Sequence, residues 1–517
     1  MPNALTLEEA WDIIQEQRKQ MRLMEEQIKL LTQKRFGKSS EKSDDPKQLS
    51  IFDDFMKNNE IKDSRVFEQP ETTGQETETI TYQRKKKSSR QVTVSEDLPV
   101  ELEELDLSDD EKFCAHCHAQ MQCVGHRFVR EQVCFIPAKL FRKQTFQYTY
   151  CCPSCIRHSD EPNQYYKSSP TPTPVIAHSL ASPSLIAEIV HNKYELSVPG
   201  YRQVKDWQRL GLSLSAPTIA NWLIKAAEWL QPLNELCRNE LMKQTHIHGD
   251  ETSYKVLHEP GKSATTMSYL WLACSIQDAK KPVVYFKYDP HRSGAVAQKL
   301  YNSYTGSLQC DGYQAYGTLP GTIQRSGCWA HVRRKFIETG PTPNKVVGKA
   351  NVALDMINKL FKIEQDLKTK SFQERLKIRQ SESKPIVDEF FDWLNKTPVI
   401  EKSGLGKAVR YALGQQTYLM HFLEDPEIEL SNNTAERHIK IAVMGRKNWL
   451  FSTSQAGAHA NTLFLSLIET AKMNGLNPSK YIEYLLENIP QLPMVDYQEQ
   501  LKAYLPWTEQ VQTNCIK

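Results

Sequence analysis

The chain has 517 residues, which is enough for three or four domains of about 100–200 residues and excludes a peptide hormone, a small toxin or a lone binding module. Lysine and arginine number 65 against 62 aspartates and glutamates, so a surface for nucleic acid can only come from local clustering. No signal peptide is recognisable and no apolar run approaches the 18 or so residues that span a bilayer, which predicts a soluble, cytoplasmic protein without a membrane partner.

The first predicted element is a helix of about four heptads. Residues 5–34 contain neither glycine nor proline, and seven of the eight seam positions in a seven-residue repeat are apolar. Such a seam needs a partner helix to cover it, so we predict a coiled coil over residues 1–36 that forms a homodimer or a higher oligomer. A terminal helix packed on its own domain is the alternative.

A polar linker is predicted over residues 37–110 because this stretch has few large apolar clusters. It contains a basic run from Arg84 to Arg90, followed by an acidic stretch. The basic run is either a solvated tether or a contact with DNA phosphates.

Two C-x-x-C pairs flank a stretch rich in β-branched and aromatic residues. Each pair brings two thiolates to one side of a tight turn, and two such turns form the tetrahedral cage that Zn²⁺ prefers. A redox pair would open a helix in a βαβ unit, and the surrounding pattern does not predict one. We therefore predict a structural zinc ribbon over residues 111–165, with Cys151, His116 and His118 as rival ligands. The four predicted zinc ligands are Cys114, Cys117, Cys152 and Cys155.

Residues 175–240 are predicted to be helical. Apolar side chains recur with helical spacing from Leu185 to Tyr194 and again after Pro199. Ser215, followed by alanine and proline, is typical of a helix start. Two short helices and a capped third one suggest a DNA-binding helix-turn-helix, and a plain helical bundle fits equally well.

Three strands, a helix and a fourth strand are predicted after residue 245. Asp250 lies on the first strand and Asp311 at the end of the fourth. In a ribonuclease H-like sheet these two strands lie side by side at the centre, so this order would bring two carboxylates together. The predicted elements are strands over His246–Val256, Ser268–Ile276 and Pro282–Tyr288, a helix over Gly294–Tyr304 and a strand from Ser307.

A third acid is available in Glu436, at the start of a later predicted helix. Phosphodiester chemistry with two Mg²⁺ or Mn²⁺ ions about 3.5–4 Å apart needs acidic oxygens that hold both metals. Two aspartates and a glutamate can supply them. Taken alone, Glu436 is an ordinary first-turn glutamate that favours the helix dipole, and Glu469 is the alternative third acid.

Basic side chains lie close to the three acids in sequence. On a helix, Lys440 would face the same way as Glu436, four residues before it. We predict that this basic cluster contacts DNA phosphates, and a solvated cationic face is the alternative. The predicted DNA-binding residues are His331, Arg333, Arg334, Arg437, Lys440, Arg446 and Lys447.

Several motifs together resemble the transposases of the insertion sequence 66 family, over nearly the whole chain. The motifs are His248-Gly249-Asp250-Glu251-Thr252, Asp311-Gly312-Tyr313, Cys328–Phe336, Asn432-Asn433-Thr434-Ala435-Glu436-Arg437, Gly445–Phe451, Ser466–Lys472 and Leu505-Pro506-Trp507. The family usually has aspartate where this chain has Ser431, and we interpret that difference as an exchange of helix caps.

The resemblance implies a DDE transposase of a bacterial insertion sequence, with Asp250, Asp311 and Glu436 as the metal-binding triad. It implies hydrolysis at the ends of the element and attack of the resulting 3′ hydroxyls on target DNA. The implied partners are the terminal inverted repeats, target DNA and companion proteins encoded by the element, in a nucleoid-associated setting. A non-catalytic regulator derived from a transposase and a nuclease without strand transfer are the alternatives.

The predicted architecture is a multidomain α+β protein. A ribonuclease H-like α/β catalytic domain spans residues 241–475, with a helical insertion at about 342–425, because about 124 residues separate Asp311 from Glu436. The coiled coil, the zinc ribbon and the helical DNA-binding segment precede this domain. A C-terminal tail, residues 476–517, follows it.

Overall fold

The computed structural model describes residue 21 and residues 139–151, 166–168, 170–339 and 348–516. Apart from Met21, the predicted coiled coil and linker lie outside these residues, as do all four predicted zinc ligands. The coiled coil, the linker and the zinc ribbon therefore stay predictions. Near the predicted ribbon, β1 (Thr149–Cys151) pairs antiparallel with β2 (Tyr166–Ser168). Within the described ranges, no helix has the length and apolar character needed to cross a membrane.

Three helices precede the main sheet, as the sequence predicts. They are α1 (Pro183–Val190), α2 (Gly200–Arg209) and α3 (Ala216–Leu241). The helix start at Ser215 is confirmed, because its hydroxyl accepts a hydrogen bond from the backbone N–H of Thr218 at 3.1 Å. A π-helical turn extends α1 to Glu195.

A mixed sheet of six strands forms the centre of the described residues. Its strands are β3 (His246–His258), β4 (Met267–Ser275), β5 (Val284–Asp289), β6 (Ser307–Gln309), β7 (Gln324–Ser326) and β8 (Ser452–Ser454). The order is β5-β4-β3-β6-β7, and β8 pairs in parallel with the far end of β3. The first three strands are antiparallel to one another, whereas β6 runs parallel to β3 and β7 parallel to β6. The predicted first and fourth strands, β3 and β6, are therefore neighbours.

Further helices lie between the strands in the chain and after the last of them. Outside the insertion and the C-terminal segment they are α4 (Gly294–Leu300), α5 (Trp329–Ile337), α11 (Asn433–Trp449) and α12 (Gln455–Met473). Those of the insertion are α6 (Lys349–Asp366), α7 (Phe372–Ile378), α8 (Lys384–Lys396), α9 (Gly404–Gly414) and α10 (Gln416–Met420). The C-terminal helices are α13 (Pro478–Asn488), α14 (Tyr497–Leu501) and α15 (Glu509–Cys515).

The described residues form two hydrophobic cores. The larger core joins the sheet to α3, α12 and the C-terminal helices, with Trp271, Leu230, Phe464 and Leu485 all fully buried. Residues 476–516 are therefore part of this core and not an appended tail. The smaller core belongs to the insertion and includes side chains such as Phe390.

Candidate active site

The register of β3 and β6 places Asp250 and Asp311 at the same level of the sheet, where β6 ends. His248 on β3 is paired with Gln309 on β6. Because the strands are parallel, two further residues along each chain lead to Asp250 and Asp311, which lies just past the end of β6. The Asp311 carboxylate accepts the backbone N–H of Tyr313 at 2.9 Å, which fixes its side chain in the turn.

A buried asparagine attaches the start of α11 to the same strand. The Asn432 amide donates to the carbonyl of Gly249 at 2.9 Å, and its Oδ1 accepts from His248 Nδ1 at 2.9 Å. Both partners directly precede Asp250. Glu436 lies in the first turn of α11, and its backbone N–H donates to the Asn432 carbonyl at 3.1 Å. These hydrogen bonds therefore hold the start of α11, and with it Glu436, beside the part of β3 that carries Asp250.

The interpretation of Ser431 as a helix cap is wrong. Asn432 occupies the N-cap position of α11, and its side chain reaches β3 and not the N–H groups of the helix. Ser431 lies one residue before that position and is buried.

The charges of the other acids act on Asp250. Burial raises the pKa of the Asp250 carboxyl well above its usual range, and the charge of Glu251 raises it further. The backbone N–H of Glu251 opposes these effects, whereas the charges of Asp311 and Glu436 add to them. Ionised Asp250 is therefore destabilised by burial and by three acidic neighbours.

Only one of the two carboxylate oxygens of Glu436 accepts a hydrogen bond among the described residues. Arg334 Nη2 donates to Glu436 Oε2 at 3.2 Å. The other oxygen, Oε1, is buried and has no hydrogen-bond partner among the residues that the structure describes. Its neighbour His331 Nδ1 is 3.7 Å away, beyond hydrogen-bonding distance.

Glu251, the residue after Asp250, is compensated by its own partners. Its carboxylate accepts from the Tyr316 hydroxyl at 2.6 Å and from Arg292 Nε at 3.0 Å. Burial raises the pKa of Glu251, and the Tyr316 hydrogen bond opposes that effect. The Arg292 guanidinium also stacks on the Tyr313 ring at 3.8 Å, so this pair braces the loop after Asp311.

Glu469, the alternative third acid, lies in a different setting. Its carboxylate accepts from His438 Nδ1 at 2.9 Å and from Lys472 Nζ at 3.1 Å. Burial would raise the pKa of Glu469, but the hydrogen bond from His438 and the charge of Lys472 bring it below its usual value. The charge of Glu436, by contrast, raises the pKa of Asp250.

The predicted DNA-binding residues fall into two groups. Four of them are partly buried beside other protein groups: His331 lies 3.7 Å from Glu436, Arg334 pairs with Glu436, Arg333 Nε donates to Asn358 at 2.8 Å, and Arg446 donates to Thr252 Oγ1 at 3.1 Å. Arg437 is exposed, and it donates to Thr434 Oγ1 at 3.1 Å. The exposed residues of the set lie on α11 and are Arg437, Lys440 and Lys447.

Sequence reasoning missed the residues that position the acids. Asn432 was part of a motif, but nothing in the sequence pairs it with His248 and Gly249. Cys328 belongs to another of the motifs, and the sequence assigns it no role. Its C-x-x-H spacing from His331, at the start of α5, was the available signal.

Three family models match this chain. They are described as "Transposase IS66 family" over residues 178–460, "IS66 C-terminal element" over 466–507 and "Transposase C of IS166 homeodomain" over 23–102. Two similar proteins are uncharacterized proteins of Sinorhizobium fredii. The first, y4jD, is 29% identical over 78% of this chain and 79% of its own length, and the second, y4qI, is 31% identical over 65% and 64%. The chain belongs to the IS66 family of transposases.

Proposed function

We propose that this protein cleaves phosphodiester bonds at the ends of its insertion element and joins the 3′ ends to target DNA. The observation that carries the proposal is that the β3–β6 register and the Asn432 hydrogen bond bring Asp311 and Glu436 towards Asp250, on which the charges of both act. A structural cluster of carboxylates would normally be compensated, and Glu436 Oε1 is not.

The strand arrangement supports a ribonuclease H-like catalytic domain. Three antiparallel strands are followed by two strands that are parallel to the first, in the order β5-β4-β3-β6-β7. The ribonuclease H-like sheet has the same order. The insertion between β7 and α11 leaves that order intact.

The three acids fit a divalent-metal site. All donors are carboxylate oxygens, which Mg²⁺ and Mn²⁺ prefer, and bound cations would relieve the repulsion that raises the pKa of Asp250. Asp250, Asp311 and Glu436 would hold two such ions, which would activate the attacking oxygen and stabilise the leaving one. Arg334 keeps one Glu436 oxygen in place, and Asn432 fixes the helix that carries it.

One face of α11 supports a path for the DNA backbone. Arg437, Lys440, Met444 and Lys447 are all exposed and follow one another at helical spacing of three or four residues. This stripe begins one residue after Glu436, so phosphates bound along it would lead to the acids. The predicted helical segment 175–240, zinc ribbon and coiled coil would recognise the element ends and bring two copies together.

The proposal is tested with full-length protein and DNA that carries the element ends. We expect Asp250→Asn and Asp311→Asn to abolish cleavage in Mg²⁺ and Mn²⁺ while DNA binding persists, because each change removes a ligand charge with little change in size. Asp392→Asn, on the exposed surface of α8, is the matched control and should cleave normally.

Other outcomes would overturn the proposal in defined ways. Cleavage at the wild-type rate by either variant would remove the aspartates from the mechanism. Wild-type protein that cleaves but never joins ends would be a nuclease, and protein that binds the ends but never cleaves them would be a regulator.

A further inference from the structure

We propose that Cys328, His331 and Glu436 form a second metal site, for a thiophilic divalent ion such as Zn²⁺, beside the three carboxylates. One ligand atom from each residue lies within 4.8 Å of the other two. The Cys328 side chain is buried, and the other two are largely shielded from solvent. The site is distinct from the predicted zinc ribbon, which lies elsewhere in the chain.

Local structure explains why the three side chains meet. Cys328 is the N-cap of α5 and His331 is the third residue of that helix, so both project from its first turn. Asn432, which attaches α11 to β3, also donates its backbone N–H to Cys328 Sγ at 3.1 Å. That bond joins the starts of α5 and α11, and Glu436 is in the first turn of α11.

The distances suit ligands that share an ion. Two ligands about 2.1 Å from a tetrahedral metal lie about 3.4 Å apart. His331 Nδ1 and Glu436 Oε1 are 3.7 Å apart, too far for a hydrogen bond and close to the separation of two ligands. This pair is therefore within a few tenths of an ångström of the separation that two ligands of one ion adopt, and Cys328 Sγ lies within 4.8 Å of both atoms.

Both atoms also lack a hydrogen-bond partner among the described residues. His331 Nδ1 and Glu436 Oε1 are buried, and neither makes a hydrogen bond in the described part of the chain. A buried polar atom without a partner costs about 1–3 kcal/mol, so two of them facing each other indicate a missing ligand. Arg334 engages only the opposite oxygen, Oε2, which leaves Oε1 directed at the cluster.

The ligand set selects the class of ion. Sulfur, imidazole nitrogen and one carboxylate oxygen favour Zn²⁺ or Co²⁺, whereas Mg²⁺ takes oxygen ligands. Three protein ligands leave a fourth position for water or another group. Glu436 belongs to both sets, so an ion at Cys328 would withdraw it from the catalytic metals. This inhibitory consequence rests on the proposed function, and the site itself does not.

Binding is tested by titrating Co²⁺ into full-length, metal-free protein and recording its thiolate charge-transfer and visible absorption bands. We expect Cys328→Ser and His331→Gln each to lose one equivalent of bound Co²⁺, with the charge-transfer intensity of one thiolate lost in Cys328→Ser. Cys310→Ser, at another buried cysteine outside the cluster, is the matched control and should keep both signals. Equal stoichiometry and spectra in all four proteins would overturn the site, provided that thermal unfolding shows each variant folded.

The consequence is tested separately by adding Zn²⁺ to cleavage reactions in Mg²⁺. We expect half-inhibition of Cys328→Ser to need about 10-fold more Zn²⁺ than half-inhibition of the wild type, or more, relative to the uninhibited rate of each protein. Equal sensitivity would overturn the competition for Glu436. Absence of cleavage in every protein would overturn the proposed function instead, and the cobalt result would stand by itself.

Discussion

Glu436 and Glu469 occupy neighbouring helices, α11 and α12, and both are largely buried, yet their surroundings are opposite. Glu469 accepts hydrogen bonds from an imidazole and an ammonium group, and its pKa is lowered. One carboxylate oxygen of Glu436 accepts a hydrogen bond from Arg334, and the other has no hydrogen-bond partner among the described residues. The negative charge of Glu436 also raises the pKa of Asp250. We interpret Glu469 as a carboxylate that stabilises the fold, and the proposed function assigns Glu436 to a cation.

The difference shows how a functional acid can be distinguished from a structural one. A protein interior normally pairs its charges, because an unpaired buried charge costs free energy. Under the proposed function, the incomplete pairing of Glu436, whose Oε1 has no hydrogen-bond partner among the described residues, is explained by a bound cation. The predictions below test this contrast.

The sharpest contrast is between Glu436→Gln and Glu469→Gln in DNA cleavage. We expect the first to reduce cleavage and joining by about 100-fold or more, because a metal ligand is lost. The second should stay within a few-fold of the wild type. Initial rates on end-containing DNA at saturating Mg²⁺ measure both, and the reverse ranking would make Glu469 the third acid.

Breaking the attachment of α11 should reduce both stability and cleavage. Asn432→Ala removes hydrogen bonds to the Gly249 carbonyl and His248 Nδ1 and leaves both buried. We expect the free energy of unfolding to fall by about 2–4 kcal/mol, as measured by urea denaturation. Asn433→Ala, one residue later, should change it by less than about 0.5 kcal/mol. Equal effects would show that Asn432 has no special positioning role.

The structural carboxylate should matter for folding. Glu469→Gln weakens the bonds to His438 and Lys472, so we expect the free energy of unfolding to fall by about 1–3 kcal/mol. Glu436→Gln should show no loss in metal-free buffer, since it removes a charge that repels Asp250. Denaturation of both variants in EDTA measures the difference, and a larger loss for Glu436→Gln would contradict the contrast.

The raised pKa of Asp250, caused first by burial and then by the charge of Glu251, predicts a gain in stability that depends on pH. Because the ionised form of Asp250 weakens the metal-free fold, Asp250→Asn should raise the free energy of unfolding at pH 7. As pH falls from the raised folded value to the unfolded value of about 3.9, the wild type regains this stability and the gain vanishes. A gain that stays constant down to pH 4 would contradict the electrostatic explanation.

The smallest expected effects are those of the exposed basic stripe. Arg437→Ala and Lys447→Ala should each weaken DNA binding and reduce the slope of log affinity against log salt by about 1, because one phosphate contact is lost. Lys402→Ala, an exposed lysine in the insertion, is the control and should leave the slope unchanged. Unchanged slopes in the stripe variants would assign those side chains to a solvated surface.

The central part of the fold could be predicted from the sequence because its signals are local. Alternating and continuous apolar runs gave β3, β4 and β5, and the order of elements then made β3 and β6 neighbours. By contrast, β7 has only three residues, Gln324–Ser326, which are too short and too polar for a periodic signal. The C-terminal helices were not predicted, because residues 476–517 were interpreted as a tail, and the core that they join depends on contacts distant in sequence.

The support of the site depended on contacts that are distant in sequence. Asn432 resembles an ordinary helix cap, and its partner Gly249 is 183 residues away. The C-x-x-H spacing of Cys328 and His331 is visible in the sequence. Its pairing with Glu436 requires that α5 and α11 begin side by side, which only the folded chain shows.

The helical insertion is not an independent unit, because it contacts segments close to the proposed site. Trp329, the first residue of α5, lies in the insertion core, where its indole N–H donates to the Leu419 carbonyl at 2.9 Å and its backbone N–H to the Leu430 carbonyl at 3.0 Å. Tyr411 of the same unit accepts the backbone N–H of Gly312, next to Asp311. A shortened protein that lacks α6 to α10 would lose contacts at the loop of the second acid and at the segment leading to the third, so engineering of a minimal transposase from this chain has to retain them.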